Sequence, residues 1–175
     1  MKTSFIDNYF NQNPNTFNPL RRRPEVKDMA IPTKAQTIKK TAKFEVVYEM
    51  DGSSFEVDKT NGIARIIWKG NVNIKTAKHL VIHCARAIEK GNKKLLIDQS
   101  TLDQFDTEAR LWIKVFIKSS IGNVSSKLLM LASIKPKSTK GSIFSHFASS
   151  ELKEALPNLD MRRFDAVEEA LDWLL

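Results

Sequence analysis

Residues 93–120 constrain the fold most, because the hydrophobic pattern changes within this one stretch from that of a strand to that of a helix. Residues 95–97 (Leu-Leu-Ile) form a continuous apolar run that ends at Asp98, which is typical of a strand buried on both faces of a sheet. We therefore predict a central strand followed by a polar loop over residues 99–104. The helix after this loop is predicted from apolar residues at helical spacing: Ala109, Leu111, Trp112, Ile113, Val115, Phe116 and Ile117.

The start of this helix is marked by Asp106 and Thr107, either of which can accept a hydrogen bond from a backbone N–H of the first turn. In an open α/β sheet, functional groups usually gather where a strand ends and the next helix begins. We therefore expect the functional surface at the loop and helix start after the central strand.

The length and composition fit one domain with a tail. A chain of 175 residues, with 42% hydrophobic and 27% charged residues, is ordinary for a globular domain that buries its own core. The single cysteine, Cys84, excludes an intramolecular disulfide and fits a reducing compartment, and we interpret it as a small buried apolar group. We recognise neither an export signal nor a run of about 18 apolar residues, so we expect a cytoplasmic protein.

Most of the net charge of +8 lies in the first 43 residues. Residues 1–43 carry a net charge of +6, contain five asparagines and four prolines, and have few large apolar residues. We therefore expect a disordered basic arm ahead of a folded domain over residues 44–175. Charge alone attracts such an arm to nucleic acid or to an anionic membrane surface, and both remain partner hypotheses.

The rest of the sequence alternates strands with helices. Residues 44–57 are predicted to form a strand that continues past Asp51-Gly52, and an Asn61-Gly62 turn connects it to a second strand over residues 63–68. This pattern predicts an α/β fold: a mostly parallel mixed sheet opened by an antiparallel hairpin, with helices packed against it. The later predicted elements are a helix capped by Asn73, the central strand and its helix, a strand at 127–134, a helix at 142–156, a strand at 161–164, and a last helix started by a capping box at 165–168.

Three short motifs in this order make residues 44–175 resemble the STAS/Sec14-like superfamily and, within it, the SpoIIAA-like group of small bacterial proteins. The motifs are residues 66–70 (IIWKG), residues 94–98 (KLLID) with the helix start at 105–107 (FDT), and residues 163–174 (RFDAVEEALDWL). The resemblance implies a non-catalytic interaction module, with a regulatory signalling role. By likeness to Sec14-like relatives, it alternatively implies a protein that binds an apolar ligand or a lipid.

Resemblance to the STAS-type anti-sigma-factor antagonists also implies a phosphorylation site at the helix start. Those proteins carry an Asp-Ser-Ser-Gly-like turn there, and a kinase phosphorylates a serine in it. The corresponding residues here are 106–109 (Asp-Thr-Glu-Ala), so Glu108 occupies the phosphoacceptor position and Ala109 the glycine position. Thr107 and Ser100 remain candidate phosphoacceptors.

Candidate catalytic and metal-binding groups are few. His79 and His83 lie four residues apart, a spacing that can place two imidazoles on one metal, although neighbouring cationic residues favour a solvated helix face. Asp98, Asp103 and Asp106 could hold a divalent cation, but acidic residues at such places more often act as caps and turn formers. We find no nucleophile elbow, Gly-rich phosphate loop or paired acids, so we predict no enzymatic activity, no cofactor and no metal.

The helix after the central strand carries a basic stripe of Arg110, Lys114 and Lys118 beside Leu111 and Val115. Apolar area next to positive charge favours a protein partner or an anionic membrane surface. The partner-binding surface is predicted to consist of Asp98, Ser100, Asp103, Asp106, Thr107, Glu108, Arg110, Lys114 and Lys118.

The alternative site is an apolar pocket between the second and third helices, lined by Trp112, Phe116, Phe144 and Phe147. A filled interior at this place favours a module that acts by surface contact. A hollow interior favours a carrier of an apolar ligand or lipid.

Overall fold

The computed structural model of the protein describes residues 41–125 and 127–175. Residues 1–40 of the predicted basic arm lie outside the described residues. Within the described ranges the chain forms six strands and four helices. In chain order they are β1 (Glu45–Met50), β2 (Ser53–Asp58), β3 (Ile63–Val72), α1 (Ile74–Glu89), β4 (Lys94–Phe105), α2 (Thr107–Ser125), β5 (Met130–Ile134), α3 (Thr139–Ala155), β6 (Asp160–Phe164) and α4 (Val167–Leu174).

The six strands form one sheet in which strands that follow each other in the chain are also neighbours in space. β2 pairs antiparallel with β1 and with β3, whereas β3 with β4, β4 with β5, and β5 with β6 pair in parallel. This arrangement confirms the predicted α/β class and the mostly parallel mixed sheet. It also confirms that residues 95–97 lie in a central strand.

The antiparallel opening of the sheet has three strands and not the predicted two. Asp51 and Gly52 both adopt positive φ, 51° and 75°, so the chain reverses at this dipeptide and separates β1 from β2. Positive φ at both central residues is characteristic of a two-residue hairpin turn. The prediction of one continuous strand over residues 44–57 was wrong. The turn at Asn61-Gly62 is confirmed between β2 and β3, with Gly62 at φ 65°.

β4 continues through residues 99–104, which were predicted as a loop. Its parallel pairing with β3 extends to Gly70 opposite Leu102 and Val72 opposite Phe105. Leu102 and Phe105 are buried and the polar residues between them are exposed, so an apolar face is present in this polar stretch. The loop prediction was wrong because the long partner strand β3, with its two register shifts, could not be inferred from local composition.

The predicted start of α1 is confirmed and that of α4 is not. Oδ1 of Asn73 accepts a hydrogen bond from the N–H of Thr76 at 2.9 Å, which caps α1. At α4 the N-cap residue is Ala166, which makes no side-chain hydrogen bond. Asp165, expected to begin a capping box, instead forms an ion pair with Lys135, with 2.9 Å between Oδ1 and Nζ.

The sheet separates two apolar cores. On one face, α1, α2 and α3 cover a core that includes Phe55, Trp68 and Leu80. On the other face, α4 packs over a smaller core that includes Leu96 and Leu174. The predicted pocket between the second and third helices therefore belongs to the three-helix layer.

Candidate functional site

A cavity of about 140 Å³ lies between the sheet and the helices α1, α2 and α3. Residues from β3, β4 and β5 line it on the sheet side, and residues from the three helices line it on the other. The described lining side chains are aliphatic, aromatic or thiol groups, apart from the amide of Gln99. The described side chains therefore leave unfilled space beneath α2 and α3, and its described lining is almost entirely apolar.

Gln99 supplies the amide group of the cavity. It is 5% exposed, and its Oε1 accepts no hydrogen bond from any described residue. A buried polar group without a partner costs about 1–3 kcal/mol, and native proteins contain few of them. The amide therefore favours a ligand that brings a hydrogen-bond donor into the cavity.

Cys84 lines the same cavity from α1 and is buried, as predicted. Burial raises the pKa of its thiol to about 12. The thiol therefore stays protonated at neutral pH, and it behaves as an apolar group and not as a nucleophile.

Of the four predicted pocket residues, the structure describes the side chains of Trp112 and Phe116. Phe116 lines the cavity. Trp112 stacks on Phe116 with 5.0 Å between ring centroids, and Nζ of Lys78 lies 5.9 Å from the Trp112 ring centroid. Trp112 thus supports the wall through Phe116. The side chains of Phe144 and Phe147 lie outside the described residues.

Much of the cavity lining was not predicted as pocket, because α1 was interpreted only as an amphipathic core helix and Gln99 as part of a loop. One sequence signal was available on α1. Cys84 and Ala85 are two small adjacent side chains that both line the cavity, where larger ones would fill it. Gln99 gave no such signal, since its burial depends on helices that pack over β4 from distant parts of the chain.

The outer face of α2 is a second candidate site. Leu111 and Val115 are 59% and 64% exposed. Arg110 and Lys118 are exposed beside them, and Lys114 is half-buried. Helical geometry places this outer face opposite the α2 side chains that line the cavity. The predicted basic stripe therefore borders two exposed apolar side chains.

The residues at the junction of β4 and α2 are exposed. Asp103 lies near the end of β4, and Asp106, Thr107 and Glu108 surround the helix start. Oγ1 of Thr107 accepts a hydrogen bond from Nη2 of Arg110 at 3.1 Å. These five predicted residues thus lie at the end of β4 and in the first turn of α2.

Asp98 does not belong to this exposed surface. Asp98 is 3% exposed, and its Oδ2 lies 2.7 Å from Nη2 of Arg65. Its Oδ1 accepts hydrogen bonds from the hydroxyl and the N–H of Ser100, at 2.7 and 3.1 Å. Because Asp98 follows Leu96 by two residues, both lie on the α4 side of the sheet. The predicted surface is corrected accordingly: Asp98 is an internal ion-pair partner.

His79 and His83 belong to an aromatic stack. The ring of Tyr48 lies 5.5 Å from that of His79 and 4.7 Å from that of His83, measured between centroids. Burial lowers the pKa of His83, and the charges of Arg86 and His79 lower it further. Over residues 41–125 and 127–175, no three His, Cys, Asp or Glu side chains are grouped so that they could hold a metal ion.

No protein-family model and no curated protein matches the chain. Among solved structures, the chain is similar to an uncharacterized protein of the DUF3478 family from Shewanella loihica PV-4, which is described as having a SpoIIAA-like fold. The sequence identity is 16%, the match covers 76% of this chain and 93% of that chain, and the TM-score is 0.44.

In the part of the chain that the structure describes, no helix is both long enough and apolar enough to span a bilayer.

Proposed function

We propose that the domain binds a small apolar molecule in the cavity beneath α1, α2 and α3. The observation that supports this proposal is the combination of a hollow apolar interior with one buried amide oxygen that has no described partner. A hollow interior is the feature that favours a ligand-binding protein over a module that acts by surface contact alone. The role is non-enzymatic, and we place it in the cytoplasm.

The energy of the cavity supports the same proposal. Apolar side chains that border unfilled space lack packing partners on that side, which lowers the stability of the folded state. A ligand that fills this space restores the lost packing contacts and stabilises the folded state by mass action. Ligand binding therefore gives a physical reason for the domain to keep a cavity that two larger side chains could fill.

The direct test is an NMR titration of the isotope-labelled protein with toluene, a small apolar probe. We expect saturable shifts of backbone amides around the cavity, for example those of Cys84 and Gln99. Two variants on α1 are matched. Ala85→Leu fills the cavity and should abolish toluene binding, whereas Cys84→Ala enlarges it and should preserve binding.

Toluene binding that is equally strong in Ala85→Leu would contradict the proposal, as would a lack of saturable shifts around the cavity in the unaltered protein. Native mass spectrometry of protein purified from cells would then identify the natural occupant. A retained mass of small-molecule size is the expected result.

A second proposal is that the outer face of α2 contacts a protein partner. Leu111 and Val115 supply exposed apolar area, and Arg110, Lys114 and Lys118 supply positive charge. Apolar area contributes affinity, while the charge complements an acidic partner and speeds association. We therefore commit to a partner that presents carboxylates around an apolar patch.

Charge reversal tests this surface. The triple variant Arg110→Glu/Lys114→Glu/Lys118→Glu should lose partner recovery in a quantitative pull-down. The control Lys137→Glu/Lys140→Glu/Lys153→Glu changes the net charge equally at exposed positions outside α2 and should retain recovery. Equal recovery with both triple variants would remove the α2 surface from consideration.

Phosphorylation could regulate this surface, and Thr107 is the better of the two candidate acceptors. Its hydroxyl is exposed and already contacts Arg110, so a phosphate at this place would meet a guanidinium. Ser100 donates its hydroxyl to the buried carboxylate of Asp98, and a phosphate there would place two anions side by side.

A further inference from the structure

The cavity also indicates which chemical class of ligand fits it, an inference that rests on the proposed ligand-binding function. We infer that the ligand is a molecule of the size of one aromatic ring that carries a hydroxyl group. The hydroxyl donates a hydrogen bond to Oε1 of Gln99, and the ring contacts the apolar lining. Size, polarity, charge and shape each lead to this class.

Size sets the first limit. An engineered cavity of about 150 Å³ in another protein binds benzene. The cavity described here has nearly the same volume, about 140 Å³. One ring with a small substituent fits this volume, whereas most of a membrane lipid would lie outside it. The inference thus narrows the apolar-ligand proposal to small molecules.

The second limit concerns the polarity of the ligand and follows from the amide of Gln99. A buried water molecule needs two to four polar partners, and among the described lining residues Gln99 supplies the one strong side-chain acceptor. A ligand hydroxyl needs only that one acceptor, because the rest of the molecule prefers apolar surroundings. A hydroxyl can both donate and accept, so it suits an amide particularly well.

Charge sets the third limit. Among the described residues that line the cavity, none carries a charged side chain. A carboxylate or phosphate on the ligand would be buried without a counter-ion, which is strongly unfavourable. The ligand is therefore neutral when bound, which excludes fatty acids and nucleotides in their ionised forms.

Shape favours an aromatic ring. Trp68 and Phe105 both line the cavity and contact each other edge to face, with 5.1 Å between ring centroids. Phe116 lines it from α2. Aromatic side chains prefer offset or edge-to-face contacts with further rings, so this lining accommodates a planar ring well.

The test compares three probes, phenol, toluene and anisole. Toluene has nearly the same size as phenol but no hydrogen-bond donor. In anisole a methyl group replaces the hydroxyl hydrogen of phenol. Their dissociation constants are measured by NMR titration with the unaltered protein and with Gln99→Met, which removes the acceptor at similar side-chain volume. Water solvates phenol better than toluene, so the informative quantity is the change in the phenol-to-toluene affinity ratio. We expect Gln99→Met to lower this ratio roughly tenfold.

Gln104→Met is the matched control, because Gln104 lies in the same strand and is exposed. It should leave the affinity ratio unchanged. If Gln99→Met does not fold, Gln99→Leu replaces it, and the phenol-to-toluene affinity ratio should fall in the same way. Anisole has no donor, so its affinity ratio to toluene should stay unchanged in either variant. A phenol-to-toluene ratio that stays the same overturns the inference.

The outcomes separate this inference from the proposed function. Toluene binding with the same affinity ratio in the unaltered protein and in Gln99→Met overturns the hydroxyl assignment and leaves a purely apolar ligand site. Failure of all three probes to bind overturns both the inference and the ligand-binding function.

Discussion

His83 lies in surroundings that oppose its protonation. Its ring stacks on Tyr48 with 4.7 Å between centroids and lies 6.1 Å from the ring of Phe55. Burial is the largest cause of its lowered pKa, followed by the positive charge of Arg86 and the interaction with His79. The folded domain therefore favours the neutral imidazole.

We predict that this residue makes the domain less stable in mild acid. Below about pH 6.5, the ordinary pKa of histidine, the unfolded chain takes up a proton at His83 more readily than the folded chain does. The free energy of unfolding should therefore fall as the pH decreases from that value towards the lowered pKa of the folded state. Urea unfolding at a series of pH values measures this dependence.

His83→Phe should flatten the pH dependence, because an apolar ring keeps the stack and cannot titrate. His146→Gln, at an exposed position of α3, should leave the dependence as it is. A His83→Phe variant with the same pH dependence as the unaltered protein would contradict the assignment to His83.

Asp98 and Gln99 illustrate which properties of single residues can be predicted from the sequence. The apolar run before Asp98 correctly indicated a buried central strand, but it could not indicate that the strand continues. Because β4 continues, these two neighbours point to opposite faces: Asp98 pairs with Arg65, and Gln99 enters the cavity. The chemistry of each side chain was readable from the sequence, and its surroundings were not.

Elements with strong local signals were predicted well. The helical spacing of apolar residues identified α2, and Asn73 identified the start of α1. Elements whose ends depend on a distant partner were predicted less well. β4 is longer than expected because β3 pairs with it as far as Phe105. At Asp51-Gly52 the chain turns although the alternating strand pattern continues on both sides of this dipeptide.

The start of α3 is attached to the part of β4 that was predicted as a loop. Oγ of Ser138 accepts a hydrogen bond from the N–H of Gly141 at 3.0 Å and donates to the carbonyl oxygen of Asp103 at 2.6 Å. One hydroxyl therefore both caps α3 and holds it against β4. This attachment also positions Leu152, through which α3 lines the cavity.

We predict that Gly141→Ala destabilises the domain, although alanine is the better helix former by about 1 kcal/mol. A Cβ at this position would lie 2.8 Å from Oγ of Ser138, 3.0 Å from Cβ of Pro136 and 3.2 Å from the carbonyl oxygen of Leu102. Displacing these groups should cost about 1–3 kcal/mol in chemical denaturation. Ser142→Ala, at the next, exposed position, should change stability by less than about 0.5 kcal/mol. A more stable Gly141→Ala variant would show that α3 can move away from β4 freely.

At the scale of the whole molecule, both proposed sites include residues of α2. α2 contributes Ile113, Phe116 and Ile117 to the cavity, while Leu111 and Val115 lie on its outer face. A ligand that changes the packing beneath α2 therefore acts on the same element that a protein partner would contact. The two proposals are compatible, and the α2 charge-reversal variant can be tested with and without a cavity ligand.

The sheet also divides the described domain into a layer that contains the cavity and a core covered by α4, and two alanines allow the same substitution in each. Ala85 lines the cavity, whereas Ala170 is fully buried in the core beneath α4. We predict that Ala85→Leu raises the free energy of unfolding of the ligand-free protein by about 0.5–2 kcal/mol, because the added carbons fill space. Ala170→Leu should lower it by about 1–3 kcal/mol, because the same carbons meet packed atoms. Urea denaturation of both variants shows whether each substitution raises or lowers the free energy of unfolding.

Saturating toluene extends this comparison to binding. At about 100 times its dissociation constant, a ligand stabilises the folded state by about 2.7 kcal/mol. The unaltered protein and Ala170→Leu should gain this increment, and Ala85→Leu should not, because its side chain occupies the site. If both alanine substitutions destabilise the domain equally, the three-helix layer is packed as densely as the α4 core, and neither a ring nor a hydroxyl beside Gln99 has room to bind.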